Sequence, residues 1–279
     1  MKLGVVGAGS MGAEIALVQA LAGFDVLLAD RSAEVLKNAM ARLARLLEKR
    51  GTGSSDTLRD VLDRIQTTTN LDDFGDREIV TEAVFEDLEV KSSVLQQLTA
   101  VLAPTGLIVT NTSTIPISVL ASKLEAAWRP NFIGMHYFSP VSRMKLVEVI
   151  AAFETSDAAV QRAMALANET GKVPIRVKDV PGFAVNRVFH VFLIEAVRLI
   201  EEGVVSVEDL DTACRLGLGH PMGPFELMDA TTSSLCLTAQ KIMFEAYGER
   251  FRPRPLLKQR VAAGLVGGRG DTGWRTPGS

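Results

Sequence analysis

Two short segments hold the residue types that could do acid–base chemistry. Gly134-Met135-His136-Tyr137-Phe138-Ser139-Pro140 ends a β-branched and aromatic run on a histidine, and Pro181-Gly182-Phe183-Ala184-Val185-Asn186-Arg187 brings a polar Asn186 to the start of a long helical stretch. Glu148 follows His136 on the next strand-like run, with Ser139-Pro140 supplying the turn between them. A carboxylate beside an imidazole raises its basicity, fixes its tautomer and stabilises the imidazolium formed when it takes a proton. On these residues alone, a buried His–Glu pair without chemistry is the competing reading. The other two histidines read as structural. His190 lies mid-helix between Phe189 and Val191, as a packed core residue would, and His220 precedes Pro221-Met222-Gly223-Pro224, a turn and helix start.

Near the N-terminus, Gly7-Ala8-Gly9-Ser10-Met11-Gly12 fits G-x-G-x-x-G between a strand and a helix. The first glycine permits the tight turn, the second lets the backbone approach a pyrophosphate, and the third allows close helix–strand packing. Asp30 ends the next strand about 20 residues on, where an acidic side chain can bind a ribose 2′-hydroxyl. A carboxylate there repels a 2′-phosphate, which favours NAD; Arg31 next to it keeps NADP open. The pattern makes Gly7, Gly9, Ser10, Met11, Gly12 and Asp30 a cofactor site, and the bland alternative is a tight turn that only packs a sheet.

These side chains need a frame to hold them. Strand-like runs at 2–7, 25–30, 65–69, 78–82, 107–111, 131–138, 145–150 and 173–178 alternate with helical stretches at 10–23, 32–50, 86–103 and 156–171. A shorter helix at 56–64 completes a helical hairpin inserted near 32–64, broken by Gly51-Thr52-Gly53-Ser54. The alternation predicts an α/β fold with a Rossmann-type, doubly wound, mostly parallel sheet. After Pro181-Gly182 the stretches 184–202, 206–216, 222–247 and 254–264 are helical and no strand signal remains, which predicts an all-helical second domain. The expected division is 1–182 for nucleotide binding and 183–279 for substrate binding and dimerisation.

With 279 residues, 47% hydrophobic and 23% charged, the chain has ample material for two ordinary domains. A net charge of −3 gives no electrostatic case for nucleic acid or an anionic membrane as partner. Cys214 and Cys236 lack metal-ligand spacing and read as buried free thiols, so no metal is expected. The start, Met1-Lys2 and an apolar run, serves better as strand and turn than as a secretory signal, and a cytoplasmic location is expected.

The residues also match a known family. The chain resembles the short-chain L-3-hydroxyacyl-CoA dehydrogenases (3-hydroxybutyryl-CoA dehydrogenases) over essentially its whole length. The resemblance rests on GAGSMGAEIA at 7–16, TEAVFEDLEVK at 81–91, NTST at 111–114, GMHYFSPVSRMKLVEVI at 134–150, VPGFAVNR at 180–187 and LGLGHPMGPFELMD at 216–229. It implies that His136 is the general base for the C3 hydroxyl, that Glu148 orients it, and that Ser113 and Asn186 hydrogen-bond the substrate. Glu86, Lys91, Ser113 and Ser139 match positions near NAD, and Arg269 stands in for a lysine of the family tail. Arg42 and Lys49 match the helical hairpin that meets the CoA phosphates; a solvated helix face is the alternative reading of both. Ser113 and Asn186 have structural alternatives too, as a turn hydroxyl and a helix cap.

Four departures stand out, one of them two extra residues between Ser113 and His136. Thr114 replaces a serine of the family, Ala230-Thr231-Thr232-Ser233-Ser234-Leu235 replaces a Gly-Leu-Asp run, and the tail is altered. Beside the CoA substrate, the resemblance therefore leaves open the same chemistry on an acyl-carrier-protein-bound or non-CoA hydroxy acid, and a cofactor-binding homologue without turnover. It also implies a homodimer formed through the helical domain.

Overall fold

The first strand, β1 (Lys2–Val6), is an apolar run buried from Leu3 onward, and Gly7 ends it with φ 103°. A computed structural model of the chain describes residues 1–50, 55–268 and 272–275. Two compact units divide it, Met1–Val180 and Pro181–Ser279.

In the first unit α1 (Ser10–Leu21) follows β1 and leads into β2 (Asp25–Ala29). The hairpin α2 (Ala33–Arg50) and α3 (Ser55–Asp63) then precedes β3 (Ile65–Thr68). Next come β4 (Ile79–Glu82), α4 (Leu88–Val101), β5 (Leu107–Thr110), the short α5 (Ile117–Ser122) and β6 (Phe132–Tyr137). The strands β7 (Leu146–Ala151) and β8 (Val173–Lys178) close the unit, with α6 (Asp157–Glu169) between them.

The strands form one eight-stranded sheet in the order β3-β2-β1-β4-β5-β6-β7-β8, parallel throughout except for β6 against β7. Strands β1, β4, β5 and β6 are almost wholly buried, as expected of parallel strands covered on both faces. Chain order reverses between β1 and β4, so the loops after their C-terminal ends flank the crevice where doubly wound folds take their ligands. The core runs from Leu3, Val5 and Leu28 through Val109, Ile133 and Val149, under α1, α2 and α6.

The second unit is helical in its described residues: α7 (Val185–Glu201), α8 (Val207–Gly217), α9 (Pro224–Thr231), α10 (Ser233–Tyr247) and α11 (Pro255–Ala262). Its core joins Leu193, Val197, Phe225, Met228, Leu257 and Trp274. Where one helix is expected over 222–247, the structure has two. Thr232 separates them at φ 87°, a conformation strained for a β-branched residue. Its Oγ1 accepts from Leu235 N as the cap of α10. The break is stitched to the tail: Ser233 N donates to Val266 O, Gly268 N to Asp229 O, and Trp274 Nε1 to Ser233 Oγ.

The chain enters α7 through Gly182 (φ 77°) and Phe183 (φ 45°); a Cβ on Gly182 would lie 2.6 Å from Met243 Sδ. No described helix is long and apolar enough to cross a membrane.

Candidate active site

The imidazole of His136 sits near the end of β6, and the antiparallel register sets it directly opposite Glu148 on β7. The connection between these strands is an eight-residue loop containing a cis Ser139-Pro140 bond, longer than the short turn the sequence suggests. Directly opposed residues share one face of the sheet, and His136 Nδ1 lies 2.8 Å from Glu148 Oε2. Glu148 is fully buried and His136 is 4% exposed. With the carboxylate ionised, Nδ1 carries the ring proton and donates it, so Nε2 presents its lone pair. Ser113 Oγ stands 3.0 Å from Nε2.

Ser113 belongs to the loop Asn111–Thr114 that leaves β5 beside β6. Two contacts hold that loop. Asn111 Oδ1 accepts the backbone N–H of Tyr137, the residue after the histidine, at 2.9 Å. On the other side Glu86 Oε1 accepts from Thr112 Oγ1 at 2.6 Å, Ser113 N at 2.8 Å, Thr114 N at 2.8 Å and Thr114 Oγ1 at 2.9 Å.

Glu86 precedes α4, and Asp87 caps that helix by accepting from Glu89 N and Val90 N. One turn in, the fully buried Lys91 reaches Glu86 Oε2 at 3.4 Å and Glu82 Oε1 at 2.8 Å. Glu82, also fully buried, further accepts from Thr110 Oγ1 and Val84 N. Burial pushes the Glu86 carboxyl up, but the Lys91 charge and the donors of Thr112, Thr114 and Ser113 together outweigh it and hold the group below its ordinary value.

The glycine-rich turn meets the geometric demands of a dinucleotide. A Cβ on Gly7 would lie 2.5 Å from Ala83 O, and one on Gly12 only 1.8 Å from Gly7 O, so neither position admits a side chain as the backbone stands. A Cβ on Gly9 would meet no protein atom within 4 Å, which leaves the turn open to a ligand. Gly9 begins α1 with no side-chain cap, so the first-turn N–H groups are left for an anion. Ser10 is exposed and Met11 half-buried at that turn. The Asp30 carboxylate, just past β2, accepts from Ala8 N at 2.9 Å and from Ser32 N at 3.2 Å. The donor set, glycine backbone and a carboxylate at the ribose position, fits NAD.

The remaining expected residues stand as follows. Arg42 turns onto the glycine-rich turn, where Nη2 donates to Gly9 O at 2.8 Å. Lys49, near the end of α2, and Ser139, in the β6–β7 loop, are exposed. Asn186 is the second residue of α7 and half-buried; Ala184 occupies the cap position, so Asn186 is not the helix cap. Arg269 lies outside the described residues. Among the described residues no group of His, Cys, Asp and Glu could hold a metal.

The anchors Asn111, Thr112 and Glu82 were not singled out by sequence reasoning. The NTST and TEAVFED motifs contain them, but their partners are loops 26 to 28 residues away. Lys172 is another such residue: buried, it donates to the Met144 carbonyl at 2.9 Å and to that of Val141, bracing the loop after His136.

Comparison with known proteins agrees with this geometry. The family model described as 3-hydroxyacyl-CoA dehydrogenase, NAD binding domain, matches residues 2–180, and that for the 3-hydroxyacyl-CoA dehydrogenase C-terminal domain matches 182–276. A probable 3-hydroxybutyryl-CoA dehydrogenase of Deinococcus radiodurans is 40% identical over 98% of this chain and 99% of its own. A 3-hydroxybutyryl-CoA dehydrogenase of Bradyrhizobium diazoefficiens is 39% identical over 98% and 94%. The crystal structure of (S)-3-hydroxybutyryl-CoA dehydrogenase from Ralstonia eutropha superposes with a TM-score of 0.94 at 34% identity, covering 99% of this chain and 98% of that one. The fold, the NAD turn and the matches over both units agree: the chain belongs to the 3-hydroxyacyl-CoA dehydrogenase family and is an NAD-dependent dehydrogenase.

Proposed function

We propose that the chain interconverts a short L-3-hydroxyacyl-CoA and its 3-oxo partner, with His136 as the general base in oxidation and the general acid in reduction. The observation that carries this reading is the hydrogen-bonded line from Glu148 through His136 to Ser113, at 2.8 and 3.0 Å. NAD, when bound, accepts the hydride from C3. His136 Nε2 takes the proton of the C3 hydroxyl as that hydride departs, and the imidazolium so formed rests against the buried Glu148 carboxylate. In the reverse direction the imidazolium returns its proton to the C3 oxygen. Ser113 Oγ, already bonded to Nε2, holds the same substrate oxygen and keeps C3 turned toward the hydride acceptor.

Family resemblance supports the remaining assignments. Asn186 binds the substrate. Glu86, Lys91 and Ser139 are assigned to the cofactor, Arg269 is assigned there only as the counterpart of the family lysine, and Arg42 and Lys49 are assigned to the CoA phosphates. A homodimer through the helical unit is supported by exposed apolar residues there, Val188 at 74% and Leu216 at 83%. The same resemblance supports a cytoplasmic location.

The test is NADH consumption with acetoacetyl-CoA, and separately with the matching carrier-protein thioester. Turnover with the CoA substrate is expected; turnover with the carrier protein alone would overturn the choice of carrier. His136→Gln keeps a polar group beside Glu148 and should lower kcat by about 10²–10⁴-fold, the usual contribution of a positioned base. NADH affinity should stay within about 3-fold, because only a step made in the transition state is lost. Equal losses in both would make His136 a structural residue.

A further inference from the structure

One carboxylate oxygen gathers four donors from the loop that carries Ser113. Glu86 Oε1 receives the backbone N–H groups of Ser113 and Thr114 and the hydroxyls of Thr112 and Thr114, all between 2.6 and 2.9 Å. Such convergence fixes a turn, because two successive N–H groups and two hydroxyls can point at one atom in few backbone conformations. The carboxylate is itself held from below. Lys91 is fully buried, lies 3.4 Å from Glu86 Oε2, and is anchored by Glu82, which also bonds the last residue of β5 through Thr110. The loop is therefore clamped to the tips of β4 and β5 on one side and, through Asn111 and Tyr137 N, to β6 on the other. Between the two clamps stands Ser113 Oγ, 3.0 Å from His136 Nε2.

We propose that Glu86 is a positioning residue for catalysis: it acts through Ser113, setting the hydroxyl against His136 Nε2. The inference rests on the reading of His136 and Ser113 given above and goes beyond the cofactor contact that family resemblance implies for Glu86. Its physical content is a coupling. A group that contacts the cofactor directly adds its effect to that of Ser113, whereas a group that works through Ser113 has nothing left to act on once the hydroxyl is gone.

A double-mutant cycle tests this. Glu86→Gln removes the charge that draws four donors to one oxygen, and Ser113→Ala removes the hydroxyl being placed. With acetoacetyl-CoA and NADH, Glu86→Gln alone should lower kcat by about 10- to 100-fold, the loss expected when a reacting group is displaced by a fraction of an ångström to about one ångström. KM for the CoA substrate should move by less than about 3-fold, with kcat read at saturating NADH so that any weakening of the cofactor contact is kept apart from it. In the Ser113→Ala background the same substitution should change kcat by less than about 2-fold. Losses that multiply in the double variant, or a loss carried wholly by NADH affinity, would overturn the proposal.

Thr114→Val deletes one donor and spares the carboxylate, so it keeps the test open if Glu86→Gln folds poorly; a kcat fall of about 3-fold is expected, silent again without Ser113. Imidazole ¹⁵N NMR separates this proposal from the functional reading. If the wild-type chain turns over no 3-oxoacyl thioester, the functional reading fails, yet Glu86→Gln should still shift the His136 Nε2 resonance. An unmoved resonance would overturn the clamp itself.

Discussion

At the scale of single residues, Asp30 does two things with one carboxylate. Its two oxygens receive Ala8 N and Ser32 N, so it braces the glycine-rich turn, and in the proposed reading it also meets the adenosine ribose. Replacing it by asparagine keeps the shape and one acceptor but removes the charge that repels a 2′-phosphate, and Arg31 beside it is exposed. Asp30→Asn should therefore narrow the preference for NADH over NADPH by about 10- to 100-fold, the worth of a hydrogen bond to a charged group. Dissociation constants for both nucleotides would show it; an unchanged ratio would mean that the carboxylate reads no ribose. Asp30 was legible in the sequence because a motif and a spacing of about 20 residues announce it. His136 and Glu148 were legible as polar residues on adjacent strand-like runs, but their direct opposition was not, because it is set by the eight-residue loop and not by a tight turn at Ser139-Pro140. Glu86 was visible only through family resemblance, because its partners are 26 to 28 residues away on another loop and no local pattern records which loops touch.

At the scale of elements, the strand–turn–helix of β1 and α1 separates folding from binding within four residues. Gly12 lies under a backbone carbonyl at 1.8 Å from its virtual Cβ, while Gly9 faces open space. Gly12→Ala must push α1 away from the turn and should destabilise the chain by about 1–3 kcal/mol, the usual cost of overpacking. Gly9→Ala should leave the melting temperature nearly unchanged and weaken NADH binding by at least about 10-fold, since the added methyl occupies the side from which phosphate approaches. Thermal unfolding and NADH titration of both variants distinguish them, and the assignment fails if Gly9→Ala unfolds the protein or binds NADH normally.

The inner parallel strands β1, β2 and β5 were readable because each is built on an apolar run ended by glycine or a polar residue, whereas the edge strands β3 and β8 mix polar and apolar residues. The division of 222–247 into two helices was not. Its apolar spacing continues across Thr232, and the break is held by Val266, Gly268 and Trp274, more than 30 residues further along the chain. Tertiary contact overrides the local pattern there, in the same stretch that departs from the family.

For the molecule as a whole, acid stability is the property in which a residue outside the chemistry should dominate. The 33 acidic and 30 basic side chains nearly balance, so the general field of the protein changes folding little near neutrality and individual groups set the pH slope. His190 is such a group. It is 5% exposed within α7, its Nδ1 has no hydrogen-bond partner, and its neighbouring ring is Phe189 at 5.4 Å. Burial lowers its pKa from 6.5 to about 4, so the folded chain keeps the ring neutral where the unfolded chain protonates it. Between those values the unfolded state binds more protons, and stability rises with pH. The contribution is complete above about pH 6.5 and is lost as pH falls toward 4, up to on the order of 3 kcal/mol by the linkage of one pKa unit to 1.36 kcal/mol. His190→Leu keeps an apolar side chain in the core and abolishes the titration. Between about pH 7.5 and 5 the wild-type chain should lose about 2 kcal/mol more unfolding free energy than this variant, measured by urea unfolding at the two values. Parallel losses in the two proteins would place the acid-sensitive group elsewhere.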